Sequence, residues 1–141
     1  MQEKSIKVAA LKAWKGIWVS FPMIFGTVLL ISLLNTIIPK SFYSLIFRNN
    51  VFMDSFVGSV IGSISVGNAI TSYILGGEFL KQGVSLIAVT AFLVAWVTVG
   101  IVQLPAESAI LGKKFALLRN IISFALSIIV AVATVLLVGL I

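Results

Sequence analysis

Charged and apolar positions are not interleaved along this chain. They alternate in long blocks. Residues 16–38 run 23 positions without a charge, residues 56–76 run 21, residues 84–104 run 21, and the last block, 120–141, runs 22. About 20 apolar residues suffice for a helix to cross the hydrocarbon core of a bilayer. The blocks at 16–38, 84–104 and 120–141 are therefore expected to be spanning helices, with Pro22 inside the first as a proline able to kink it. Residues 1–15 carry Lys4, Lys7, Lys12 and Lys15 around Val8, Ala9, Leu11 and Trp14, the pattern of a short amphipathic lead-in helix at the interface. A cleaved leader would have a shorter apolar stretch and a small-residue cleavage site, and neither is seen.

The block at 56–76 differs in kind. It is uncharged but rich in small and polar residues: Gly58, Ser59, Gly62, Ser63, Ser65, Gly67, Asn68, Thr71 and Ser72. Gly67-Asn68 near its middle is a turn signal, and Asn68 is a ready N-cap for a second helical piece. Each side of that break is about ten residues, or about 15 Å of helix, half a bilayer. A broken or re-entrant segment fits that length, and a plain fourth crossing is the competing reading. Gly58 and Gly62 form a GxxxG pair, which also suits close helix packing.

Composition supports the same fold class. Hydrophobic residues make up 60% of the 141, and only 10% are charged, against about 25% in soluble domains. The expectation is one all-α integral membrane domain over residues 1–141, multi-pass in a cell membrane, with three to four transmembrane helices. There is no cysteine and no histidine. Disulfides, thiolate chemistry, the usual zinc sites and Ser-His or Cys-His nucleophile pairs are thereby excluded, and neither an enzyme nor a cofactor is expected. The net charge of +6 is scattered over short loops, so bilayer orientation explains it better than nucleic acid.

The charges also bear on topology. Residues 1–15 carry +3, 39–55 carry +1, 76–83 balance Glu78 against Lys81, and 105–119 carry +2. The two basic segments, 1–15 and 105–119, should share the cytoplasmic face. That requires 56–76 to enter and leave on one side. The connector 39–55 mixes Lys40, Arg48 and Asp54 with aromatic residues, as interfacial segments do, and Asp54 and Glu78 read as solvated charges. Trp14, Trp18 and Trp96 read as interface anchors. Gln103, ending an apolar helix, suits a hydrogen bond across an interface or to a solute. Glu107 is either a proton carrier or a carboxylate in the first turn of a helix that begins at Pro105.

The stretches GSISVGNAITSYILGGEFLKQGVS, AFLVAW, QLPAES and LGKKFALLRN together resemble one half of the organoarsenical efflux (ArsP-like) permease family. Gly67, the Leu80–Gly83 turn and Pro105 match its pattern in order, over roughly residues 58–125. The family commonly holds two such halves in one chain. The resemblance therefore implies a half-size permease subunit that works by alternating access, as a homodimer or beside a paired homologous half-permease, within membrane lipid. The small-residue segment has no cysteine, so thiolate binding of a metalloid is not carried over. On this reading the path is lined by Ser63, Ser65, Gly67, Asn68, Thr71 and Ser72, with Gln103 and Glu107 beside it. A non-transporting scaffold or accessory subunit, using the small residues only for packing, is the alternative.

Overall fold

The computed structural model describes residues 2–48, 50–65 and 67–139, and among them every regular element is a helix. The chain divides into two compact units, residues 1–37 and 38–141. The first is a single helix, α1 (Gln2–Ile37), with Pro22 inside it. The expected boundary between a lead-in and a span does not exist. Ala9, Ala10, Leu11, Lys12 and Ala13 are strong helix formers, and nothing before Gly16 breaks the run. One face of α1 carries a ladder of stacked rings, Trp14, Trp18, Phe21 and Phe25, with centroids 6.3–6.4 Å apart. The helix ends before Pro39, whose ring disfavours helical backbone at the preceding residue.

The second unit begins with α2 (Lys40–Ile46) and α3 (Val51–Ile64). Asn50 caps α3, its side chain accepting from the backbone N–H groups of Phe52 and Met53 at 3.1 and 3.3 Å. The helix stops at Ser65, and α4 (Ala69–Lys81) starts after Asn68, whose Oδ1 accepts from the Thr71 N–H at 2.9 Å. A Schellman turn closes α4. Val84 N–H donates to Phe79 O, Gly83 N–H donates to Leu80 O, and Gly83 takes the positive φ (+86°) such a turn needs. Then follow α5 (Leu86–Thr98), α6 (Leu104–Leu111) and α7 (Lys113–Val138).

Close approaches give the direction of each helix. A Cβ on Gly58 would sit 2.2 Å from Ala88 O, and one on Gly62 would sit 2.3 Å from Phe92 O. Helices α3 and α5 therefore run side by side in the same sense. The Gly67 carbonyl meets Trp96, whereas Gly76 meets Val89 and Leu93, so α4 runs against α5. The hairpin α3–α4 thus goes in and comes back, and Ser85 returns to Asp54. Along α7, Asn120 lies at Gly100 while Ala131 packs with Ile87 and Ala91, so α7 runs antiparallel to α5. Helix α6 turns into α7 through Gly112 (φ +89°).

Three expectations are corrected here. The block 84–104 is not one continuous helix, because α5 ends at Thr98 after 13 residues, about 20 Å. It is interrupted at 99–103 before α6 continues in the same sense. Second, the segment 105–119 is not an open loop: α6 fills its first half, and α7 begins at Lys113 rather than at 120. Third, Asp54 is not a solvated charge but is completely buried.

Two helical stretches are long and apolar enough to cross a membrane, Ile6–Leu33 (mean hydropathy 2.0) and Lys113–Val138 (2.9). Only 12% and 11% of their apolar windows are buried within the chain. The second unit buries an apolar core, with Val84, Ile87, Val89, Ala91, Phe92 and Ala95 of α5 and its approach, together with a set of polar side chains, and it is apolar outside. Its largest fully buried side chains are Asp54, Ser55, Ser59, Ser72 and Ser127, while Leu117, Leu118, Ile121, Ile122, Leu126 and Ile129 of α7 are exposed.

Candidate functional site

The interruptions after α3 and after α5 lie against each other. Their joint is the Trp96 indole, whose Nε1–H donates to the Gly67 carbonyl at 3.3 Å. Gly67 has to be glycine there, since a Cβ would come within 2.8 Å of the Trp96 ring. Trp96 is half-buried, its ring set between Gly67 and Phe92. The hairpin reaches this level after 14 residues of α3, about 21 Å from its entry.

Between the two interruptions is a cavity of about 80 Å³. Ser63, Ser65, Gly67, Trp96, Gln103 and Arg119 line it, with the backbone of 97–100. Ser63 and Val99 are buried at its floor, while Gly67, Thr98 and Gln103 are exposed at its mouth. The serine hydroxyls donate within their own helix, Ser63 to Val60 O at 2.8 Å and Ser65 to Ile61 O at 2.6 Å. They turn acceptor lone pairs to the cavity. Wider grooves of about 500 and 370 Å³ run along α6 and α7. Leucine, isoleucine, proline and phenylalanine dominate their walls, so they offer little to tell a solute from an acyl chain.

Arg119 owes its position to a network on α6 and α7. Its Nη2 donates to Glu107 Oε1 at 2.5 Å. The other oxygen, Oε2, accepts from Asn120 Nδ2 at 3.2 Å, and the same Nδ2 reaches Ala116 O at 2.9 Å. Asn120 Oδ1 accepts from the Gly100 N–H at 2.8 Å, which ties α7 to the opened backbone after α5. Asn120 is buried. Such a backbone donor, left unpaired in a buried place, would cost about 1–3 kcal/mol. The network leaves one group over: Arg119 Nε is buried and has no hydrogen-bond partner among the described residues.

Of the residues expected on a path, Ser63, Ser65, Gly67 and Gln103 are brought together at this cavity. Glu107 stands one bond behind it, in the first turn of α6 and paired with Arg119. Asn68, Thr71 and Ser72 do not line it. Asn68 is spent on capping α4, Thr71 supplies the capped N–H, and Ser72 is buried with its hydroxyl on Ala69 O at 2.8 Å. The short local bonds of a helix start turn these side chains back along α4. Sequence reasoning missed Arg119 and Asn120. Their one signal was a charge followed by an amide at the head of a long apolar run.

The GxxxG pair serves close helix packing, and it does so within the chain. Gly58 and Gly62 face α5 of the same chain, and Ser59 Oγ meets Ser127 Oγ of α7 at 2.8 Å with both residues fully buried. That face is used internally and is not free for a second copy.

No protein-family model, no curated protein and no solved structure matches the chain.

Proposed function

We propose that the chain is a half-size subunit of a multi-pass membrane permease that moves a small solute by alternating access, with no bond made or broken in the solute. One observation carries this reading: a polar cavity lies where two helix interruptions meet. Opened backbone at membrane depth leaves N–H and C=O groups that lipid cannot satisfy, so it is kept where it lines a wet path or is covered by protein. Broken helices meeting about midway are how secondary transporters build solute sites. The apolar exterior of the second unit and the polar side chains it buries support placement in lipid, and Lys113 and Lys114 at the α6–α7 turn favour a cytoplasmic position for that end. The hairpin then opens from the opposite face.

The accessory-scaffold reading has its own support, because Gly58, Ser59 and Gly62 are fully accounted for by packing. Uptake of labelled small solutes into proteoliposomes separates the two. Asn68→Leu removes a cap worth about 0.5–2 kcal/mol at the edge of the interruption. It should slow uptake while membrane insertion persists. A protein that inserts and folds but moves no solute of any charge class would leave the scaffold reading standing.

A further inference from the structure

We infer that the solute is a small monovalent anion, a carboxylate or an oxyanion of about four heavy atoms, held by the Arg119 guanidinium; this inference rests on the permease reading above. Size comes from the cavity of about 80 Å³, several times the roughly 10–15 Å³ a cavity needs to hold one water and so room for a solute of a few heavy atoms.

The sign of the charge follows from what faces the cavity. Each interruption presents one helix C-terminus and one N-terminus, α3 against α4 and α5 against α6. Their opposite partial charges, roughly half an elementary charge each, offset one another. No acidic side chain lines the cavity, whereas Arg119 does. Glu107, the nearest carboxylate, has one oxygen on Arg119 and the other on Asn120, so it fixes the guanidinium rather than meeting the solute. Beyond that pair the Arg119 side chain is 38% exposed, and its Nε–H is buried without a partner among the described residues. A planar guanidinium that meets one carboxylate through Nη2 has further N–H donors for a second. Gln103 at the mouth adds an amide donor. Charged residues inside membrane segments mark solute and ion pathways far more often than they serve packing.

Acetate and acetamide share a shape and differ in charge, and ethylammonium supplies the opposite sign. Their binding would be measured by calorimetry on the full chain in nanodiscs. Acetate is expected to bind, acetamide and ethylammonium are not. Arg119→Gln should weaken acetate by about tenfold or more, the loss of one charge-assisted bond. Arg119→Lys keeps the charge and the Glu107 pair, and should fall between the two. The double variant Arg119→Gln/Glu107→Gln avoids an orphaned carboxylate and should lose acetate while staying folded by near-ultraviolet circular dichroism. Equal binding of acetamide, no acetate binding, or acetate binding unchanged in the folded double variant would each overturn the inference. Acetate-driven current in proteoliposomes and labelled acetamide uptake make the second arm. Acetate that binds but carries no current sinks the permease reading and leaves the anion site; acetamide uptake without acetate binding does the reverse.

Discussion

The Ser85 hydroxyl donates to Asp54 Oδ2 at 2.5 Å, joining the residue before α5 to the first turn of α3 across 31 positions of chain. Asp54 is fully buried, and its other oxygen accepts from the Arg48 backbone N–H at 3.1 Å. One carboxyl group thus closes the mouth of the hairpin and anchors the segment that leads into it. Asp54→Ala leaves both donors unpaired, each at about 1–3 kcal/mol, whereas Ser85→Ala removes one bond. Thermal unfolding in detergent should rank the wild-type protein above Ser85→Ala and Ser85→Ala above Asp54→Ala. A reversed order of the two variants would show that Asp54 does not hold this end together.

Glycines in the hairpin should separate sharply by position. At Gly58 and Gly62 an added Cβ meets the backbone of α5, at 2.2 and 2.3 Å, and backbone cannot swing away. Gly58→Ala and Gly62→Ala should each cost about 1–3 kcal/mol by forcing α3 and α5 apart. Gly77, within α4, has nothing near its missing Cβ. There alanine should be neutral or stabilise by up to about 1 kcal/mol through helix propensity. Equal effects at all three positions would contradict the α3–α5 packing.

What could be read from the sequence divides along physical lines. The interruption at Gly67-Asn68 is encoded locally, because a cap is a bond between a side chain and an N–H three residues away. The one at 99–103 is not. Val94 to Val102 read as an apolar run, and a lone Gly100 is tolerated inside many helices. Its opening is held from α7, by Asn120 on the Gly100 N–H, and no window of sequence contains both partners. Arg119 was hidden for the same reason. It looks like one more loop cation until α6 folds back and sets Glu107 against it. Asp54 misleads in the opposite way, since a charge among aromatics suggests an interface, yet Ser85 and Arg48 together satisfy it in the interior.

The direction of the helices fixes which ends of the second unit share a face. Lys81 ends the returning arm of the hairpin, and Lys113 begins α7 just past the α6–α7 turn. The path from one to the other runs along α5 and α6, about 13 and 8 residues of helix in the same sense, or about 30 Å. Placed in a bilayer, those two lysines belong to opposite faces. Single cysteines at Lys81 and Lys113 would be tested with a membrane-impermeant thiol reagent in intact cells. Lys81→Cys should react and Lys113→Cys should react only after lysis. Labelling of both from outside would rule out α5–α6 as a crossing.

The last expectation is that the chain works beside a second copy. The cavity mouth at Gly67, Thr98 and Gln103 is exposed in the isolated unit, at a level about 20 Å from the hairpin entry. Lipid cannot satisfy opened backbone at that depth, which leaves a wet path or protein to cover it, and a second copy is the cover expected here. The small-residue surface of Gly58 and Gly62 is already filled by α5. A partner must therefore approach from the side of the interruptions, and disruption of the association should follow changes at Thr98 or Gln103 rather than at the GxxxG pair. Native mass measurement in nanodiscs, corrected for lipid, should give twice the chain mass of 15.1 kDa. A cysteine at Thr98 should crosslink between copies where one at Ile129, on the exposed outer face of α7, does not. A monomer that still moves solute would show that the interruptions are covered without a second copy.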